Sequence, residues 1–135
     1  MTVRTAKIAL TALWGVAIMP LLLILILRQL NGFYGSEAQA AWTWVAQYVF
    51  PGMTLIGGAW TVTDHPEDAE KRASTVVVWG ALVLSAFYLL VLYLVLGAQA
   101  RGSLEDVLQG SGLFLGLIQG VVVGWLGKFF IEAKR

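Results

Sequence analysis

The chain contains no cysteine, one histidine and three prolines, and only 13% of its 135 residues are charged. Each scarcity excludes something. Without cysteine there is no disulfide, no thiolate metal ligand and no thiol chemistry, and the redox compartment is left open. His65 is the single imidazole. It lies among loop-type residues, which leaves no Ser–His pair, no metal quartet and no haem ligand at membrane depth. No phosphate-cradling glycine loop is present. The formal net charge is +1, so nothing points to nucleic acid. The expectation is a protein that is not an enzyme, with no catalytic residue, cofactor or metal assigned.

Charge is also missing from long stretches. It gathers at residues 4–7, 28–37, 64–72, 101–106 and 128–135. Between lie four uncharged runs, Ile8–Leu27, Ala38–Thr63, Ala73–Ala100 and Val107–Gly127. Apolar residues make up 59% of the chain, and its mean hydropathy is +0.77. A helix needs about 20 apolar residues to cross hydrocarbon. Alternating strands of about ten residues, the mark of a membrane barrel, are not visible. The reading is an all-α membrane protein with short loops, one domain over 1–135. Four transmembrane helices are expected at about 6–28, 40–62, 73–97 and 111–130. The first run is too long for the apolar core of a signal peptide, so it is expected to remain as a span.

Arg4, Lys7, Lys71, Arg72, Lys128, Lys134 and Arg135 fall on one side of such a bundle, and Arg28 and Arg101 on the other. The positive-inside rule then puts both termini in the cytoplasm, with a bacterial cytoplasmic membrane as the setting. Trp60, Trp79 and Trp125 fall near the inner ends, and Tyr34, Trp42, Trp44 and Tyr93 near the outer ends. Rings with one polar edge favour the headgroup zone.

Pro20 predicts a kink in the first span, with a carbonyl freed a turn earlier. Pro51-Gly52 predicts a second kink or an unwound point. Broken helices can mark transporter sites. The plainer reading is a packing kink whose backbone is satisfied by neighbours. In the loop Asp64–Arg72, Asp64 or His65 can cap a helix whose first turn holds Pro66. Glu67/Lys71 and Asp68/Arg72 are acid-first pairs spaced by four, so a helical extension over about 66–72 is expected. The rival is a metal or proton sensor built from Asp64, His65, Glu67 and Asp68. The third span, "TVVVWGALVLSAFYLLVLYLVLG", is apolar all round and reads as lipid-facing wall. Ser103 and Asp106 have capping-box spacing, which predicts a short outer helix ahead of the fourth span.

That span contains "GLFLGLIQGVVVG". Gly112, Gly116, Gly120 and Gly124 drift slowly around one face at 100° per residue. Gly127 and Gln109 share the sector, and Gln119 lies at its edge. Phe114, Ile118, Trp125 and Phe129 lie opposite. In lipid, helices associate through close backbone approach and held polar groups, so the stripe predicts a tight helix contact, within the chain or between copies. Gln119 and Gln47 lie at about one depth. They are expected to clamp two helices, or with Gln109 to line a polar path between copies, or to contact a ligand.

The segment "SLEDVLQGSGLFLGLIQGVVVGWLGKFF" resembles the end of certain small bacterial four-span membrane proteins, whose last helix carries an L-G-P-L-Q-G-L-V…L-G-x-F-F pattern. Leu115, Gly116, Ile118, Gln119, Gly120, Val121, Leu126, Gly127, Phe129 and Phe130 match it, while Leu117 replaces the proline. The resemblance covers about a quarter of the chain and implies architecture, with no activity attached.

Three function classes fit these residues. The first is a homo-oligomeric pore in the lipid bilayer, holin-like or membrane-permeabilising. The second is a non-catalytic accessory subunit of a larger membrane partner. The third is a small transporter using Pro51, Gly52 and Gln47.

Overall fold

A computed structural model describes residues 1–61, 72 and 74–132. Helix α1 spans Val3–Leu30, and the Thr2 hydroxyl caps it by accepting from the Thr5 N–H. It ends at Asn31. Gly32 and Gly35 then take φ of +72° and +50°, the left-handed region that glycine enters without penalty, and turn the chain. A 3-10 turn, Gly35–Glu37, leads into α2 at Ala38–Tyr48, followed by α3 at Phe50–Thr61. Helix α4 spans Thr75–Ala98 and α5 spans Leu104–Glu132.

Three of these helices, α1, α4 and α5, are long and apolar enough to cross a membrane. The expected second span is divided instead into α2 and α3. The break falls at Val49, two residues before Pro51, and it is shallow: Val49 keeps right-handed helical dihedrals and donates to the Val45 carbonyl at 2.9 Å. No separate outer helix precedes the fourth span, because α5 runs unbroken from Leu104. All of the helical extension expected at 66–72 except Arg72, and the sensor residues Asp64, His65, Glu67 and Asp68, lie outside the described residues.

Side-chain bridges fix how the helices run. An isolated β-bridge between Thr2 and Arg72 joins the starts of α1 and α4, and Arg28 at the end of α1 reaches the Leu96 carbonyl near the end of α4. Those two helices therefore lie parallel. Trp60 of α3 donates to Thr11 of α1, so α3 runs back along α1. Trp125 of α5 donates to the Val77 carbonyl of α4, an antiparallel pair, and Trp44 of α2 donates to Ser111 of α5, a parallel one. Helix α1 packs on α4 and α3, and α5 packs on α4, α2 and α3.

Helix α4 is an exposed wall on one face only, through Val76, Trp79, Val83, Phe87, Leu90 and Leu94. Val77, Val78, Ala81, Ser85, Tyr88, Leu89, Leu92, Val95 and Leu96 are all buried, the longest buried set of any helix. An all-apolar sequence does not distinguish lipid from protein interior, and here both faces of the helix are used. At the core, Trp14 and Tyr88 meet with ring centroids 6.2 Å apart. Two glycines make room for indoles. A Cβ on Gly52 would lie 2.1 Å from the Trp14 ring, and one on Gly80 would lie 2.3 Å from Nε1 of Trp125. Such notches let helices approach where lipid provides no drive to associate.

Candidate functional site

A polar surface lies where α2 meets α5, and Pro51 organises it. Proline has no N–H, so the carbonyl four residues earlier, that of Gln47, loses its helical donor. Gln119 of α5 supplies one: its Nε2 donates to the Gln47 carbonyl at 3.0 Å. At the same break, the Tyr88 hydroxyl of α4 donates to the Tyr48 carbonyl at 2.6 Å. Pro20 has a similar attendant. The Tyr93 hydroxyl donates to the Ala17 carbonyl, three residues before the proline, at 2.5 Å. Gln47 and Gln119 thus do meet, through one backbone carbonyl and one amide rather than through two amides. The carbonyls of Gln47 and Tyr48, which a broken helix would offer to an ion, are already occupied.

Above this clamp a groove of about 670 Å³ opens between α2 and α5. Its α2 wall carries Gln39, Thr43 and Gln47, spaced by four and so stacked on one face. All three are exposed, with Glu37 at the mouth. The α5 wall carries Gln109 and Gly112. Gln109 donates to the Glu105 carboxylate at 3.1 Å. The floor is fixed by Trp44, which donates to the Ser111 hydroxyl at 3.0 Å, while that hydroxyl donates to the Leu108 carbonyl. The Tyr48 hydroxyl lies 3.0 Å from where a Cβ on Gly112 would stand, so Gly112 leaves the phenol its place.

Below Gly112 the glycine stripe leaves the rest of the chain. A Cβ on Gly116, Gly120, Gly124 or Gly127 would meet nothing within 4 Å. The contact expected of the stripe is therefore not made within the chain. Its opposite side is buried instead, through Leu115, Val122, Leu126 and Phe129. Bulky side chains gain more dispersion contact in a packed interior than bare backbone does, so the bundle takes the bulky side. Of the residues placed opposite the stripe, Phe129 is buried, Ile118 and Trp125 are half-buried, and Phe114 is exposed.

A second polar cluster at the same end of the bundle was not anticipated. Arg28 donates to the Leu96 carbonyl at 2.9 Å and to Oε1 of Gln99 at 3.3 Å. Tyr34 donates to that same oxygen at 3.1 Å. The guanidinium stands 5.1 Å from the Phe33 ring centroid. Burial raises the Tyr34 hydroxyl pKa above its ordinary value of 10.0, and the Arg28 hydrogen bond and charge oppose the rise. The only signal in the sequence was a lone outer arginine at the end of one span and a glutamine at the end of another.

Among the described residues no three or more acidic or histidine side chains gather as a metal site would require. No known protein family, curated protein or solved structure matches the chain.

Proposed function

We propose that this is an integral membrane protein that assembles with copies of itself through the outward face shared by α2 and α5, and that the polar column of that face lines a path between the copies. In this reading α2 and α3 together form a fourth span, and both termini lie in the cytoplasm. The balance of Arg4, Lys7, Arg72 and Lys128 against Arg28 and Arg101 supports that orientation.

One observation carries the proposal. Gln39, Thr43 and Gln47 stand exposed beside a stripe of glycines that meet nothing. Hydrocarbon cannot hydrogen-bond an amide, and a bare helix flank gains little from acyl chains that it would not gain from another backbone. The interior of a single chain is filled by Trp14, Tyr88 and their neighbours, so a conducting path belongs between chains.

The test is the particle mass in lipid nanodiscs, together with conductance in planar bilayers. A discrete homo-oligomer is expected, dissociated by Gly116→Leu or Gly120→Leu with helix content unchanged, and its conductance should vanish with it. A monodisperse monomer would overturn the reading.

One feature favours a second reading, an accessory subunit that lays this face on a larger membrane protein. On α5 the polar side chains end at Gln119, and below it Gly120, Gly124 and Gly127 offer only backbone until Lys128. Co-purification with a larger partner, without conductance, is its outcome.

A further inference from the structure

On the other flank of α5, away from the polar column, the structure forms a second groove with different chemistry. It lies between α4 and α5, has a volume of about 510 Å³, and is lined by Val91, Leu94, Val95, Val107, Phe114 and Ile118, with Asp106 at its upper end. A smaller hollow of about 410 Å³ adjoins it at the end of α4, with Gly97, Arg101 and Gly102 in its lining. Leu94 and Ala98 line both. The turn between the helices is tight. The Arg101 N–H donates to the Ala98 carbonyl at 3.0 Å, and a Cβ on Gly102 would stand 3.7 Å from Cγ2 of Val107. Arg101 is thereby brought to the same level as the first turn of α5, where Asp106 sits.

We infer that this groove and its adjoining hollow form a binding site for one phospholipid with a zwitterionic, primary-ammonium headgroup. The acyl chain lies in the apolar trough, the phosphate meets Arg101, and the ammonium meets Asp106. Three features select this occupant. The trough walls are almost wholly hydrocarbon and face the bilayer. Asp106 lines the trough and Arg101 the adjoining hollow, charges of opposite sign that complement a headgroup carrying both. A primary ammonium can donate hydrogen bonds to a carboxylate, which a quaternary one cannot. An anionic headgroup lacking an amine would satisfy Arg101 and leave Asp106 facing negative charge. The site shares no lining residue with the α2 wall of the polar column, so it stands or falls independently of self-assembly.

The experiment uses the full chain in phosphatidylcholine nanodiscs doped with lipids carrying a photoreactive group at mid-chain. The doped headgroup is phosphatidylethanolamine, phosphatidylcholine or phosphatidylglycerol, and adducts are mapped by peptide mass spectrometry. The ethanolamine probe is expected to label the Val91–Val95 and Phe114–Ile118 segments roughly two- to fivefold more than the other two, the range that one partly exposed ion pair supplies. Asp106→Asn should erase the preference for ethanolamine over glycerol. Arg101→Ala should weaken labelling by every probe. Gly110→Leu fills the trough at a position where a side chain meets nothing, so it should block labelling without disturbing the bundle. Equal labelling by the three lipids, a preference that survives Asp106→Asn, or no labelling of these segments by any of them would each overturn the assignment.

Discussion

The side-chain amide of Gln119 donates to the backbone carbonyl of Gln47 at 3.0 Å, and that carbonyl is the one Pro51 leaves without a helical donor. A defect in one helix is thereby repaired by a side chain from another, and the repair fixes the depth at which the two helices meet. The bond has a consequence for mutation. Gln119→Leu removes the donor and should destabilise the chain by about 1 kcal/mol, the usual scale for an interhelical hydrogen bond in a membrane. With Pro51→Ala the helix regains its own N–H at that point, and Gln119→Leu should then cost clearly less. A double-mutant cycle by steric trapping or SDS unfolding reads the difference. Additive effects would mean the amide does not serve the proline's carbonyl.

Two glycines inside the bundle and two outside it should respond oppositely to the same small change. Gly52→Ala and Gly80→Ala drive a methyl to within 2.1 Å of Trp14 and 2.3 Å of Trp125, neither of which sits at the loose end of a flexible chain. Overpacking of this kind costs typically 1–3 kcal/mol. Gly116→Ala and Gly120→Ala meet nothing within 4 Å and should leave the stability of the single chain unchanged or slightly raised. Thermal unfolding of the four variants in a detergent that holds the chain monomeric separates the pairs.

That contrast also explains what the sequence could and could not say. Three of the spans were legible because uncharged apolar runs of this length suit a membrane-crossing helix, whereas the run expected at 40–62 folds as two shorter helices. The meeting of Gln47 and Gln119 was legible because equal distance from the outer start of two like-directed spans means equal depth. The inward side of α5 was not. In water a polar face declares itself as solvent-facing, but in lipid both surroundings are apolar and the pattern carries no sign. For the same reason α4 read as a wall, although Tyr88 and Tyr93 were its two clues: hydroxyls at depth need acceptors, and kinked neighbours provide them. Gly80 was silent because a single glycine has no period, and Gly52 stood out only as half of a kink pair with Pro51. Which indole fills each notch emerges only from the packed structure.

The cluster of Arg28, Tyr34 and Gln99 predicts an alkaline limit. Burial holds the Tyr34 hydroxyl protonated in the folded chain past its ordinary pKa of 10.0. The unfolded chain therefore releases this proton first as pH rises. It binds fewer protons than the native state over that window, so stability falls with pH. The contribution is complete below pH 10 and is lost above it, up to the raised native value. Tyr34→Phe should flatten the fall in melting temperature above pH 10. Arg28→Gln removes the group that opposes the rise and should move the native phenol pKa further up, measured by ultraviolet titration against the Tyr34→Phe background. The same variant frees the Leu96 carbonyl, so hydrogen exchange in the last turn of α4 should quicken.

The absence of native cysteine makes the polar column directly measurable, since any introduced thiol is the only one in the chain. Single cysteines at Gln39, Thr43 and Gln47 replace exposed side chains stacked down one face of α2. Thiolates, not thiols, react with methanethiosulfonates, and ionisation requires water. If the column lines an aqueous path, all three positions should react with a charged reagent at comparable rates, while Val83→Cys and Leu90→Cys, exposed on α4 away from the column, should lag by tenfold or more. If the face instead packs dry against another helix, reactivity should fall steeply from position 39 to position 47, and Gly116→Leu should restore it by separating the partners. Position 47 decides between the two, because it stands one residue-depth from the Gln119 clamp where the polar lining ends.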